Sequence, residues 1–230
     1  MMNLFSRLVL LSLTLLLACC TSTERRSALL TSIPAQMAAQ HGLVDVRTYL
    51  PDVAIDLRYA TSQNVANQPL YPPNMPCLLY QSTADRLKRV QKRLRAHGMG
   101  LRLWDAWRPP EVQLSLMKKG GHTGMFLDPK VAWSRHCSGV AVDVTLVDTK
   151  GREQRLPTYH DENSDEAYYQ YSGNDPEIKK NLALLQRTMA AEGFSMIPLE
   201  WWHFDDYEHF FNPPKPLWAK DIGLTLPEVK

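Results

Sequence analysis

Three short stretches of this 230-residue chain hold the residue types from which hydrolytic sites are built. The first is Ser134-Arg135-His136-Cys137-Ser138-Gly139-Val140-Ala141-Val142-Asp143, where a loop histidine precedes an aspartate on the polar side of an apolar, alternating run. Burying a lone carboxylate costs several kcal/mol, so Asp143 calls for a cation or a metal beside it. The second is Glu200-Trp201-Trp202-His203, an acid and an imidazole three residues apart among large aromatics. Neutral imidazole and carboxylate are zinc ligands, and three such ligands with a fourth position open to water make a hydrolytic centre. The third, Asp105-Ala106-Trp107-Arg108-Pro109, pins an arginine between a strand end and a proline-led helix. Taken singly, each has an ordinary account as a structural histidine, an ion pair or an aromatic core. It is their combination that points to catalysis.

That combination resembles the zinc D-Ala-D-Ala dipeptidases, the group that includes the vancomycin-resistance dipeptidase, within a wider family of D,D-peptidases. The group carries a Ser-x-His-x6-Asp segment, a Glu-x-x-His segment near the C-terminus and an Asp-x-x-Arg-Pro segment upstream. Here Ser134, His136, Asp143, Glu200, His203, Asp105, Arg108 and Pro109 stand in the same order. The resemblance runs from about Asp56-Leu57-Arg58-Tyr59-Ala60-Thr61 to His203. It implies that His136, Asp143 and His203 hold one Zn2+, that Glu200 is the general base and that Arg108 stabilises the transition state. It further implies that Asp161 receives the free ammonium of a small dipeptide substrate, with Ser134 close by. The family usually has an aromatic residue where His160 stands, and often a serine where Cys137 stands. A related carboxypeptidase trimming D-Ala from peptidoglycan stem peptides is the nearest alternative. A non-catalytic, zinc-stabilised cell-wall binding lipoprotein is the remoter one, against which an unneeded Glu200 argues.

The elements that must position these residues follow from periodicity. Ala84, Leu87, Val90 and Leu94 mark one face of a helix, with Ser82 and Asp85 spaced like a capping box and Gly98 as its stop. Leu101 to Asp105 alternates as a strand. Pro109-Pro110-Glu111 opens a second helix carrying Val112, Leu114 and Met117. Val140, Val142, Val144 and Leu146 line one side of a strand, and Ala141, Asp143 and Thr145 the other. Asp175-Pro176-Glu177 caps a helix carrying Ile178, Leu182, Leu185 and Met189 and ending at Gly193, before a last strand near Trp201 to Phe204. The expectation is an α+β single domain: a small, mainly antiparallel sheet with helices packed on one side and the zinc site at the sheet. One geometric demand stands out. Residues three apart fall on opposite faces of a regular strand, so Glu200 requires a bend or bulge before the strand that carries His203.

Composition sets the remaining bounds. The chain is 44% hydrophobic and 22% charged, with 26 Lys+Arg against 24 Asp+Glu, and a net charge of +2 gives no basis for nucleic-acid binding. No protein partner is evident. Residues 1–18 read as a lipoprotein signal peptide: Arg7, the apolar run Leu8 to Leu17, then Leu16-Leu17-Ala18-Cys19 in the manner of a lipobox. Cys19 is the expected lipid attachment site, with Cys20 beside it leaving the choice open and plain cleavage as the alternative. Residues 19–43 then form the lipid attachment and tether, and residues 44–230 the zinc D,D-dipeptidase domain. The expected location is periplasmic, anchored to the membrane by that lipid alone. Cys77 and Cys137 remain in the exported domain, where pairing and two unpaired core thiols are both open.

Overall fold

Apolar residues at helical spacing on either side of an alternating valine strand dictate the architecture, which a computed structural model describes for residues 32–229. In chain order the elements are α1 (Ile33–Ala39), β1 (Leu43–Asp45), α2 (Val46–Tyr49), β2 (Ala54–Ile55), β3 (Leu78–Tyr80), α3 (Gln81–Arg95) and β4 (Met99–Asp105). They continue with α4 (Pro110–Gly120), β5 (Ala141–Asp148), α5 (Pro176–Ala191), β6 (Phe194–Ile197) and β7 (Glu200–Asp206). Five strands form one sheet in the order β2-β4-β5-β7-β6, and β1 pairs with β3 in a separate ribbon. Only β2 joins β4 in parallel; every other pair is antiparallel. The fold is therefore the expected α+β domain with a mainly antiparallel sheet.

The sheet has one apolar and one polar face. Leu101 pairs with Leu146, Leu103 with Val144 and Val142 with Phe204, so these six share a side. The helices α3 and α5 pack on that side and against each other. Ala84, Leu87, Val90 and Leu94 of α3 are wholly buried there, as are Leu185 and Met189 of α5. Asp175 starts α5 by accepting from the Glu177 and Ile178 backbone amides, with Pro176 in the first turn. On the polar face the rows run differently. Between Leu103 and Asp105 the pairing with β5 slips by one residue, and Trp104 is the extra one. Asp105 consequently lies opposite Asp143, which in turn lies opposite His203 on β7. Without that bulge Asp105 would face the helices.

Several expectations are corrected. Ser82 and Asp85 form no capping box, because α3 starts at Gln81 without a side-chain cap. Ser82 meets His209 and Asp85 accepts from the Tyr49 hydroxyl instead, tertiary partners that outcompete the local bond. Of the apolar residues on α4, Leu114 is exposed while Val112 and Leu116 are buried. This helix also stands apart from the other two: its Gln113 reaches Arg108, placing it beside the polar face. The strand β6 pairs with β7 and was not anticipated, since Phe194–Ile197 is too short and mixed to alternate legibly. Regular structure is present before residue 44. Helix α1, within the stretch expected to be tether, buries Ala38 completely and packs on the turn at Ala219–Ile222. Cys77 and Cys137 are both free thiols, fully buried. The expected signal peptide and Cys19 lie outside the described residues, and no described helix is long and apolar enough to cross a membrane.

Removing a buried leucine leaves a cavity as well as lost transfer energy. Leu87→Ala is expected to cost about 3 kcal/mol, whereas Leu114→Ala, half-exposed on α4, is expected to stay within about 0.5 kcal/mol. Urea denaturation of the two variants beside the parent measures the contrast.

Candidate metal and catalytic site

Three acceptor atoms converge on one point above the polar face. His136 Nε2 and His203 Nδ1 lie 3.1 Å apart, and Asp143 Oδ1 is 3.2 Å from the first and 3.1 Å from the second. Tetrahedral zinc with bonds of about 2.0–2.1 Å sets its donor atoms roughly 3.3–3.4 Å apart, close to this triangle. The hydrogen bonds behind the rings decide what the converging atoms are. His136 donates from Nδ1 to the Ala106 carbonyl at 2.7 Å, which leaves Nε2 as a lone pair. His203 donates from Nε2 to Asp205 at 2.9 Å, which in the neutral ring leaves Nδ1 as a lone pair. Two lone pairs and a carboxylate oxygen in contact repel one another unless a cation stands between them. The donor set thus fits a metal ion, with each imidazole oriented from behind as metal-site histidines are.

Local sequence explains how the triangle is built. Asp143 and His203 are cross-strand neighbours on β5 and β7, so both point the same way. His136 arrives on a 3-10 turn, Arg135–Ser138, whose N-cap Ser134 accepts from the His136 amide. Gly139 then turns the chain into β5 with φ +70°, and a Cβ there would meet the Leu43 side chain at 2.9 Å. Charge in the cluster is strongly biased. Burial disfavours the ionised Asp143, but His136, His160 and His203 outweigh it and hold its pKa well below the usual carboxylate range. Burial likewise opposes charge on His203, and Asp205 and Asp143 override it and raise that pKa well above normal. Positive charge is what the site demands, and protons compete with metal for it.

Glu200 stands beside the triangle, its Oε2 3.8 Å from His203 Nδ1. The required irregularity is present, though inside β7 rather than before it. Met196 pairs with Phe204 while Ile197 pairs with Glu200, so Trp201, Trp202 and His203 form a bulge against β6. Burial pushes Glu200 up to about 7; His203 and Arg108 oppose that rise, and Asp143 and Asp161 reinforce it. No hydrogen bond restrains its carboxylate among the described residues. Arg108 is held far more firmly. It donates from Nε to Asp105 at 2.8 Å and from Nη1 to Gln113 at 3.0 Å, and more weakly from Nη2 to Asp143 Oδ2 at 3.4 Å. Its guanidinium also lies over the Tyr59 ring, and Tyr71 secures Asp105 from the other side. Of five guanidinium N–H groups, two are left to donate elsewhere.

A cleft of about 370 Å³ opens onto these groups, with Arg108, Ser134, His136, Asp161, Glu200 and His203 in its wall. Asp161 reaches it from the loop between β5 and α5. Its Oδ1 accepts from the Tyr59 hydroxyl at 3.0 Å, and its Oδ2 is buried with no partner among the described residues. Its backbone is left-handed, φ +61°, a conformation that costs on the order of 1 kcal/mol outside glycine. All eight residues singled out in the sequence motifs therefore meet at one end of the sheet or anchor the residues that do. Sequence reasoning missed Asp205, Gln113, Tyr59 and Tyr71. Asp205 was discoverable, since it lies two residues beyond His203 on a strand and so shares its face. Gln113 lies five residues beyond Arg108 on the following helix, and Tyr59 and Tyr71 come from segments far from the motifs in the chain.

A His–Asp–His donor triangle with a carboxylate and a guanidinium beside it, laid on an antiparallel sheet, defines a zinc metallopeptidase. The particular family is explicit in the comparisons: the model described as D-ala-D-ala dipeptidase matches residues 39–221, and the chain belongs to that family. It is 30% identical to the D-alanyl-D-alanine dipeptidase of Escherichia coli strain K12 over 163 residues, 71% of this chain and 83% of that one. It is 29% identical to the enzyme of the same name from Enterococcus faecium, over 65% of this chain and 83% of the relative. The corresponding protein of Enterococcus faecalis shares 26% identity over 72% of this chain and 91% of its own.

Metal analysis of the purified protein is expected to return one zinc per chain, and His203→Ala to lose it. Because the imidazoles must be neutral to bind, zinc affinity falls as pH falls. Chelator competition at stepwise lower pH reads that slope, and a flat profile would contradict the ligand assignment.

Proposed function

We propose that the protein hydrolyses the free dipeptide D-Ala-D-Ala to two D-Ala, with one zinc held by His136, Asp143 and His203. The observation that carries this reading is Asp161: a buried carboxylate oxygen without a partner, in the same cleft wall as the metal triangle. Such a group suits a free ammonium one residue before the scissile bond. An acylated peptide presents a neutral amide there and leaves the charge uncompensated, a penalty of several kcal/mol. When bound, zinc supplies Lewis acidity and lowers the pKa of water in its coordination sphere towards ~7. Glu200 accepts the proton of the attacking water and passes it to the departing amine. Burial prepares it for that exchange by raising its affinity for the proton, and the absence of restraining hydrogen bonds leaves both oxygens usable. Arg108, fixed by Asp105 and Gln113, turns its two remaining N–H groups to the oxyanion that develops on the scissile carbonyl. Ser134 lies at the cleft wall, where its hydroxyl adds a polar contact to the substrate while capping the His136 turn.

Free D-Ala-D-Ala and N-acetyl-D-Ala-D-Ala, assayed side by side, test the reading. The parent is expected to favour the free dipeptide by at least about a hundredfold in kcat/KM, and Asp161→Asn to lose most of that ratio. Glu200→Gln is expected to keep its zinc and lose nearly all turnover. Equal release of D-Ala from both substrates would move the protein to the carboxypeptidase alternative.

The N-terminal sequence supports an exported protein, lipidated on Cys19 and working at the periplasmic face of the membrane, where such dipeptides are met. Radiolabelled fatty acid is expected to enter the expressed full chain and to be lost in Cys19→Ala; label retained in that variant would shift the site to Cys20.

A further inference from the structure

Asp143 has two oxygens with different neighbours. Oδ1 faces the two liganding imidazoles, while Oδ2 is turned to His160 Nε2 at 3.0 Å and, at the longer 3.4 Å, to Arg108. His160 is itself buried, only 2% of its side chain being exposed. Its ring is boxed by Tyr59, Trp104 and Trp202 with centroids 5.3–5.7 Å away. Among the described residues its Nδ1 has no hydrogen-bond partner, and Asp161 Oδ1 lies 3.6 Å from it. The only task open to its polar atoms is to donate from Nε2. The left-handed backbone of Asp161 serves the same end, because consecutive side chains in an extended loop diverge, and this turn brings both His160 and Asp161 inward.

We propose that His160 is a positioning residue for the metal carboxylate: by occupying Oδ2 it holds Asp143 to the zinc through Oδ1 alone and fixes the angle at which that oxygen is offered. The proposal rests on the zinc reading of the triangle and not on the identity of the substrate. Partners of this kind set the orientation and basicity of the ligand they touch, and losing one lowers metal affinity by about 10–100-fold. A phenyl ring at 160 would fill the same aromatic box and donate nothing. A glutamine would place an N–H donor near the position of Nε2 while fitting the box poorly.

Two variants therefore separate positioning from packing. Zinc dissociation constants, from competition with a chromogenic chelator, are measured for the parent, His160→Phe and His160→Gln, beside melting temperatures of the metal-free proteins. Positioning predicts that His160→Phe binds zinc about 10–100-fold more weakly with an unchanged or higher melting temperature. It predicts that His160→Gln stays within about threefold of the parent in zinc affinity despite a lower melting temperature. A purely structural role predicts the reverse order in affinity. Zinc held by His160→Phe as tightly as by the parent overturns the proposal, and should His160→Gln fail to fold, the affinity of His160→Phe decides alone. A parent that binds no zinc would overturn the triangle reading itself, and a zinc-binding parent inactive on the dipeptide would leave this inference standing.

Discussion

Asp143 carries a negative charge in the middle of the sheet with almost no exposed surface, and the rest of the site is arranged to support it. An ionised carboxylate placed there alone would cost several kcal/mol, more than most single contacts return. Each neighbour that supports it needs support in turn. Arg108 is held by Asp105, Asp105 by Tyr71, and His203 by Asp205. The chain of obligations ends only where hydroxyls and backbone carbonyls take over. This is why the polar face is a connected network, whereas the opposite face, under α3 and α5, is almost wholly hydrocarbon. The two faces solve separate problems: one supplies cohesion, the other a field that favours a dication.

A strand with a two-residue period cannot deliver this set of side chains unaided. Two bulges break the period where chemistry needs it, one at Trp104 and one across Trp201 to His203. They flank the regular strand β5, which keeps its alternation from Ala141 to Asp148. A straight central strand thus acts as the ruler against which two irregular neighbours are adjusted. The aromatic residues at both irregularities are not incidental. Trp104 and Trp201 meet edge to face at 5.6 Å, and each displaced backbone is wedged by its own large side chain.

How much of this was legible in the sequence depended on what kind of force placed each residue. Helices α3 and α5 followed from apolar spacing because a buried stripe must repeat every turn. The valine alternation identified β5, and with it the side of the sheet that Asp143 would take. The need for an irregularity near Glu200 followed from strand geometry, though not its place within β7. What stayed hidden depended on tertiary partners. Ser82 and Asp85 have the spacing of a cap and spend their polar atoms on His209 and Tyr49 instead. Leu114 has the residue type of a core position and lies outside. His160 departs from the family pattern, and only its distance to Asp143 gives the departure a physical meaning. Tyr59 and Tyr71 reach the site from segments remote in the chain, which no local spacing encodes, and Gln113 reaches Arg108 from the first turn of the next helix.

The two histidines proposed as ligands offer different nitrogens, His203 its Nδ1 and His136 its Nε2. Nδ1 is bonded directly to the ring carbon that joins the side chain, whereas Nε2 lies across the ring. The lever from backbone to donor atom is therefore short on β7 and long on the His136 turn. A short lever transmits little angular error, and it would tie the height of a bound ion above the sheet to the β7 backbone itself. A long lever magnifies any tilt at its base, which is where Ser134, Gly139 and the Ala106 carbonyl clamp the turn. Mechanically the centre resembles a tripod with one stiff leg and one adjustable leg. Small sequence changes around residues 134–139 would then tune the lateral position of a bound ion, while its elevation would stay set by the sheet.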